Sequence, residues 1–501
     1  MGEPEERELT TDAARGTVSL TASAGIRGRR LVALVVLCTA FLLTVMAATS
    51  VMTAAPSIAQ AFHLGSGSLQ WSLTAATVPG AALVFVGGWL ADRFGRRRMV
   101  LGGLALFMVS SLACGAAPNA VLLVVARLTQ GAAAALLIPA ALALLCETFS
   151  SDHDRHRAVA TWSAVGGTGA TLGLVLGGLV TTGLGWRWVF VVNGPVCLLL
   201  LAGAIAVLNE AAERRPSRHI DTLGAVSISL AVAALLYAIG LVPSTGLIAW
   251  RPLLAAFVAA GSFVVFFARQ VRGRDSLIPP RLLRSPVVQI GVLTLLLAGI
   301  LVDGLLYTLT LLLQDVRGYS ALQYGGVAAL MAAVSVLAAG ASQRLVTRYG
   351  PRLVGGGGLV ALALTCFLLR AGASTHVPIA VVLAAMVVFG LGMGAAFVAG
   401  SVATLSVDQR DSATAGALQD LCFSLGTALG VAVLSTVVAA SGHIGGRPFA
   451  SAGPAKLLSG IRTALWVATA LAGFGAVGLA LLRAGTGRGP LAVMVTEEET
   501  P

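Results

Sequence analysis

The chain has 501 residues, of which 57% are hydrophobic and only 11% charged, with a mean hydropathy of +0.90. A water-soluble domain carries roughly 25% charged residues, so the solvent this chain is built for is lipid. The formal net charge is +12, but the arginines lie between apolar runs, where they act as topology signals rather than as a nucleic-acid surface.

Residues 1–30 open acidic and are followed by an apolar run too long for a signal peptide, so a disordered cytoplasmic tail is expected there. Beyond it, fourteen stretches reach the roughly 20 apolar residues that a crossing requires. They lie at 31–53, 70–91, 99–118, 120–147, 158–182, 188–208, 222–241, 252–268, 286–312, 320–343, 353–370, 377–404, 412–440 and 463–482. The alternation of a barrel is absent, so an all-α integral membrane protein is expected. With the N-terminus inside, the inner segments hold 25 Arg and the outer segments 7 Arg or Lys. That asymmetry puts both termini in the cytoplasm.

The densest charge lies in Gly87-Gly-Trp-Leu-Ala-Asp-Arg-Phe-Gly-Arg-Arg-Arg98, a loop between spans 2 and 3. Its part Asp92-Arg-Phe-Gly-Arg-Arg-Arg-Met-Val100 recurs more weakly and one residue shorter as Thr347-Arg-Tyr-Gly-Pro-Arg-Leu-Val354 after span 10. The offset of eight spans divides the chain into a six-helix half (31–208), a linker with an inserted helix pair (209–285), a second six-helix half (286–483) and a tail (484–501). Repeated halves with a site between them mark secondary transporters. No nucleotide-binding loop and no nucleophile elbow occurs, so neither an ATPase nor an enzyme is expected. The six Cys all fall in apolar stretches without a Cys-x-x-Cys pair, and no metal or cofactor is expected.

On these residues the chain resembles the major facilitator superfamily, and within it the fourteen-span drug:proton antiporters, with helices arranged 6+2+6. The motif Gly88-x-Leu-Ala-Asp92-Arg93-x-Gly95-Arg96-Arg97 carries the resemblance most strongly. Arg127-Leu-Thr-Gln130-Gly131 in span 4, Gly185-Trp-Arg-Trp-Val-Phe-Val-Val-Asn-Gly-Pro195 entering span 6, and Leu313-Gln314 with Gly318-Tyr-Ser320 after span 9 add to it. In span 5 the antiporter pattern survives as Gly169, Gly173, Gly177 and Gly178, but its Pro is replaced by Leu174. A straighter helix is the expected consequence. Two other departures stand out. Ala47 sits where the family carries a span 1 Asp, and in span 13 Asp420 and Phe423 stand where an Asn and an Arg are usual.

Four charged residues fall within the expected spans: Arg127, Glu147, Asp303 and Asp420. An ion at mid-helix costs about 2.5–3.5 kcal/mol on insertion scales, so such residues are paired, hydrated or functional. Glu147, near the inner end of span 4, reads as interfacial. Arg127 and Asp303 are at similar depth on helices that face each other in the resembled fold, so they are expected to meet or share water, with Asp303 supplying the acid that span 1 lacks. Asp420 is the alternative proton site.

The resemblance implies export of an amphipathic drug or antibiotic by proton antiport, with alternating access in a monomer in the bacterial inner membrane. The proton gradient is the energy source, and the partners are a small-molecule substrate, protons and lipid. Asp92 is expected to latch the cytoplasmic side. Leu174 and Ala47 leave importers and dedicated metabolite exporters open, and a non-transporting sensor on the same fold is a further reading.

Overall fold

Short breaks of Gly, Pro, Asn and Ser divide the apolar sequence into helices. In the computed structural model, residues 3–149, 151–208, 222–245, 249–272, 280–373, 378–407, 412–442 and 453–482 are described. In chain order the helices are α1 (Glu3–Phe62), α2 (Ser66–Thr74), α3 (Thr77–Phe94), α4 (Arg96–Gly115), α5 (Ala120–Thr148), α6 (Asp152–Gly183), α7 (Trp188–Val191) and α8 (Asn193–Val207). They continue with α9 (Thr222–Thr245), α10 (Trp250–Arg272), α11 (Pro280–Arg284), α12 (Pro286–Thr310), a π-helical turn (Leu311–Val316), α13 (Ala321–Ala371), α14 (Ile379–Leu405), α15 (Ser412–Ser441) and α16 (Pro454–Leu481). Among the described residues no strand occurs, and 12 helical stretches are long and apolar enough to cross a membrane.

The caps follow local chemistry. Asn119 Oδ1 accepts from the Leu122 N–H at 2.9 Å to start α5, and Ser320 with Gln323 forms a reciprocal capping box on α13. Pro79 has no N–H to give the carbonyl of residue 75, and the chain breaks at Ala75–Ala76 between α2 and α3. The stretch expected as one crossing is therefore two helices.

Two further boundaries differ from expectation. α1 continues back to Glu3 through the segment expected as a disordered tail, although its apolar part is Gly28–Phe62. Span 9 continues past 312 through the π turn to Val316, because its i+5 bonds absorb an extra residue without ending the helix. Asp315 is thereby added to the charges inside the spans. Spans 10 and 11 are two helices within α13 that part at Gly350, where φ is 82° and ψ is 158°, in the loop expected between them. The linker residues 209–221 and the tail from 484 lie outside the described residues.

The two halves repeat in their packing. α1 lies on α6 and α8 in the first, and α12 lies on α15 and α16 in the second. Backbone geometry repeats as well. Gly95 between α3 and α4 has φ 101°, and Gly350 occupies the matching place in the second copy with φ 82°. Both turns need the left-handed region that glycine reaches without strain. Cross-contacts between halves run through α6 on α13 and α3 on α15.

α9 is not peripheral. It packs on both α3 and α15, and the Ser229 hydroxyl donates to the Ala82 carbonyl of α3. α10 lies outside it and turns Phe257, Val264 and Phe267 outward.

Candidate functional site

The largest core shared by the halves lies away from the Arg96 loop. There Ala54, Ala55, Ile58, Leu64 and Leu69 pack with Leu305, Leu309, Leu312, Leu313 and Tyr324 in one buried cluster. Nearer the Arg96 loop, Val84 and Phe85 of α3 still pack with Leu418, Leu421 and Cys422 of α15, but the other clusters are separate. Val100, Leu144, Leu145 and Trp162 belong to a first-half cluster, and Val346, Val398 and Ala399 to a second-half one. At the closed end, Gln314 Nε2 reaches the Thr53 carbonyl across the halves at 3.5 Å, and the Tyr324 hydroxyl donates to the Leu306 carbonyl at 3.1 Å.

The span 5 glycines explain the closeness of that seal. A methyl group on Gly173 or Gly177 would strike Thr49, Ser50 or Thr53 of α1, and one on Gly169 would press on Leu42 and Val45. These three bind α6 to its own half. Gly178 faces the other way, against the backbone of Ala321 and Leu322 in α13, and Gly325 returns the contact to the Leu174 carbonyl. The one motif thus divides between packing within a half and closure between halves. α6 runs unbroken through Leu174, which is buried.

Where the shared core ends, a cavity of about 30 Å³ opens between the halves. That is room for about one water molecule. Ala48, Thr49 and Met52 come from α1, Leu73, Thr74 and Thr77 from the α2–α3 break, Asp303 from α12, and Thr427 and Val431 from α15. Asp303 is the one ionisable group there, among four threonines. Ala47 points instead into the first-half core, one residue away from the cavity wall at Ala48. Asp420 lies two helical turns along α15 from Thr427 and does not line the cavity.

Arg127 does not meet Asp303. It is buried to 1% exposure. Its Nη1 donates to Gln130 Oε1 at 2.7 Å and its Nη2 to the Leu73 carbonyl at 3.1 Å, while Gln130 Nε2 donates to Ser111 Oγ at 2.7 Å. The α2–α3 break supplies that carbonyl, because Leu73 is next to the last residue of α2. Leu73 also lines the Asp303 cavity, so the two charges are joined through this one residue. Arg127 Nε is buried without a hydrogen-bond partner, and Phe190 lies 5.9 Å from its guanidinium carbon. Among the described residues no cation pairs with Asp303.

The arginine loop forms a second constellation. Arg96 binds Asp92 at 3.0 Å and Glu147 at 2.7 Å, and its Nη1 also reaches the Ala143 carbonyl at 3.3 Å. Glu147 is therefore a partner in an ion-pair triad rather than a bystander at the interface. Its place in the last turn of α5 sets it beside carbonyls that attract a cation in their own right. Arg97 donates to the Ile205 carbonyl and Arg29 to the Val207 carbonyl, both in the last turn of α8 and both at 3.1 Å. Arg93 lies over Trp89 and Phe94. Gly87 rather than Gly88 makes the close approach, to the Ala135 carbonyl of α5.

The pattern defining the Major Facilitator Superfamily matches residues 37–431. The chain belongs to the major facilitator superfamily. Among curated relatives, the puromycin resistance protein pur8 of Streptomyces alboniger is 36% identical over 429 residues, 84% of each chain. The MFS-type transporter EfpA of Mycobacterium tuberculosis is 32% identical over 448 residues, 86% of this chain and 82% of that one. The tetracenomycin C resistance and export protein of Streptomyces glaucescens is 30% identical over 428 residues, 84% of this chain and 78% of that one.

Solved structures agree on the fold. A bacterial homologue of the human lysosomal transporter Spinster, inward-facing and occupied, matches with a TM-score of 0.64 at 16% identity, over 90% of this chain and 96% of that one. An auto-inhibited POT family peptide transporter matches at 0.66 and 16% identity, over 90% and 98%. This facilitator is thus a multi-pass membrane transporter, not an enzyme, with relatives named for drug and antibiotic efflux.

Sequence reasoning missed one charge inside the spans and two contributors to these sites. Asp315 was hidden because the π turn extends a helix past its apolar run. Leu73 acts through its backbone, which side-chain motifs do not register. The role of Glu147 depends on Arg96, distant in sequence though close in space.

Proposed function

We propose that this chain is a secondary transporter that exports amphipathic drugs or antibiotics in exchange for protons. The observation that carries the reading is Asp303, a lone acid without a cationic partner among the described residues, in a threonine-lined cavity where two repeated halves meet. An embedded acid of this kind is functional by default. Antibiotic resistance and export in the names of the relatives supports the substrate class. Asp420 is the second acid on which a proton can travel.

In this reading the halves rock about the cavity. Counting α6 and dividing α13 at Gly350 turns the 12 stretches into fourteen crossings, arranged 6+2+6 with both termini in the cytoplasm of a bacterial cell. The Arg96 loop then faces inward, and the larger shared core closes the outer side. Asp92, Arg96 and Glu147 hold together within the first half, which leaves the latch disengaged from the second. Protonation of Asp303 favours one state and its release favours the other. The protein works as a monomer without a cofactor, on the proton gradient alone.

The experiment is drug accumulation in cells with and without the protein across a panel that includes puromycin. Export predicts lower accumulation, abolished by a protonophore. Unchanged accumulation throughout the panel would favour an importer or a sensor.

A further inference from the structure

Of the 7 cations placed in outer segments, four (Arg370, Arg447, Lys456 and Arg462) come from the stretches flanking α14 and α16, at 370–378 and 441–462. Neither stretch contains an Asp or a Glu. Positive charge is disfavoured on the side opposite the arginine loop, so its concentration there calls for a physical reason.

Arg370 and Arg462 line one open groove of about 410 Å³ between the end of α13 and the start of α16, with Ser459, Thr463 and Trp466. That volume is within the roughly 300–1,000 Å³ of small-molecule sites. The Arg370 guanidinium stacks on Trp466 at 4.6 Å. Its Nε is buried with no hydrogen-bond partner. Arg462 Nε donates to the Ala373 carbonyl at 3.0 Å, which fixes the side chain and leaves its terminal nitrogens for another acceptor. Among the described residues no carboxylate pairs with either arginine.

Two fixed guanidinium groups without a counterion in one groove fit a bidentate oxyanion. The flanks say which. Along α16, Trp466, Phe474, Val477 and Leu481 are exposed at helical spacing below Arg462, and on α13 Val360, Leu364 and Phe367 lead up to Arg370. An apolar face running from an aromatic residue at the basic end suits acyl chains beneath a headgroup. A free phosphate would have no use for it.

The geometry points to a binding site for the phosphate of an anionic phospholipid, held by Arg370 and Arg462 in the leaflet opposite the Arg96 loop. The bound lipid supplies the counterion that the described residues do not and bridges α13 to α16.

The test is native mass spectrometry and thermal melting of the full-length protein with phosphatidylglycerol or with phosphatidylcholine of the same acyl chains. Inorganic phosphate alone forms a third arm. Wild type is expected to retain phosphatidylglycerol about tenfold better and to melt higher with it. The double variant Arg370→Gln/Arg462→Gln should lose that preference, and Arg251→Gln, an arginine elsewhere on the same side, should keep it. Equal retention of the two lipids by wild type, or an unchanged preference in the double variant, overturns the site. A thermal shift from inorganic phosphate equal to that from phosphatidylglycerol overturns the lipid assignment. Should the double variant not fold, a photoactivatable phosphatidylglycerol on wild type is expected to label the start of α16, and labelling confined to other helices overturns the proposal.

Discussion

Arg96 and Glu147 form an ion pair at 2.7 Å between the start of α4 and the end of α5, while the same guanidinium holds Asp92 at 3.0 Å. One cation thus serves two acids and one helix C-terminus. Exposed pairs of this type contribute only about 0–1 kcal/mol each, so the triad matters for where the loop is held rather than for overall stability. Glu147→Gln and Asp92→Asn are each expected to leave the melting temperature near wild type and to lower transport about tenfold, the size of a typical coupling free energy. Arg96→Gln should lower it at least as much as either. A double-mutant cycle on Arg96 and Glu147 measured by transport checks this. Additive losses would show that the pair does not act as a unit.

Arg127 is a different case, because it is buried and hydrogen-bonded on two sides. Arg127→Met leaves Gln130 and the Leu73 carbonyl short of a donor, and breaking such a buried network costs about 1–3 kcal/mol per orphaned group. Melting in detergent should fall accordingly. Arg127→Lys should also destabilise, since a single ammonium cannot reproduce the planar fork. A wild-type melting point for both variants would remove Arg127 from the frame of the cavity.

Much of the architecture was legible in the sequence because lipid leaves few options. Apolar length marked the helices, and the Asp92–Val100 and Thr347–Val354 repeat marked two turns that are alike at Gly95 and Gly350. The sites were less legible. Arg127 and Asp303 were expected to meet or share water because they are at similar depth on helices that face each other in the resembled fold. Depth does not record that Pro79 breaks span 2 and offers Arg127 a carbonyl nearer than any carboxylate. The division of labour among Gly173, Gly177 and Gly178 was also invisible, since spacing says which face a glycine shares and not what faces it.

That division can be separated experimentally. Gly177→Ala puts a methyl group against Ser50 and Thr53 within one half and should cost about 1–3 kcal/mol through overpacking, read as a lower melting point. Gly178→Ala presses instead on Ala321 and Leu322 across the halves. Its expected effect is to open the closed end, read as increased labelling of a cysteine introduced near Gln314, with a smaller loss of stability. Equal melting losses with no change in labelling would assign both glycines to plain packing.

Asp303 carries the central claim. Asp303→Asn keeps the shape of the cavity and removes the ionisable group, so folding and drug binding should persist while coupling is lost. Asp420→Asn is its companion, and wild-type coupling in both variants would exclude either acid as the proton carrier. The most direct measurement is proton flux in vesicles containing the purified protein and a trapped pH-sensitive dye, started by a gradient of puromycin. Antiport predicts proton movement opposite to the drug in wild type and none in Asp303→Asn. Drug movement without proton movement in wild type, or undiminished proton movement in Asp303→Asn, would contradict it.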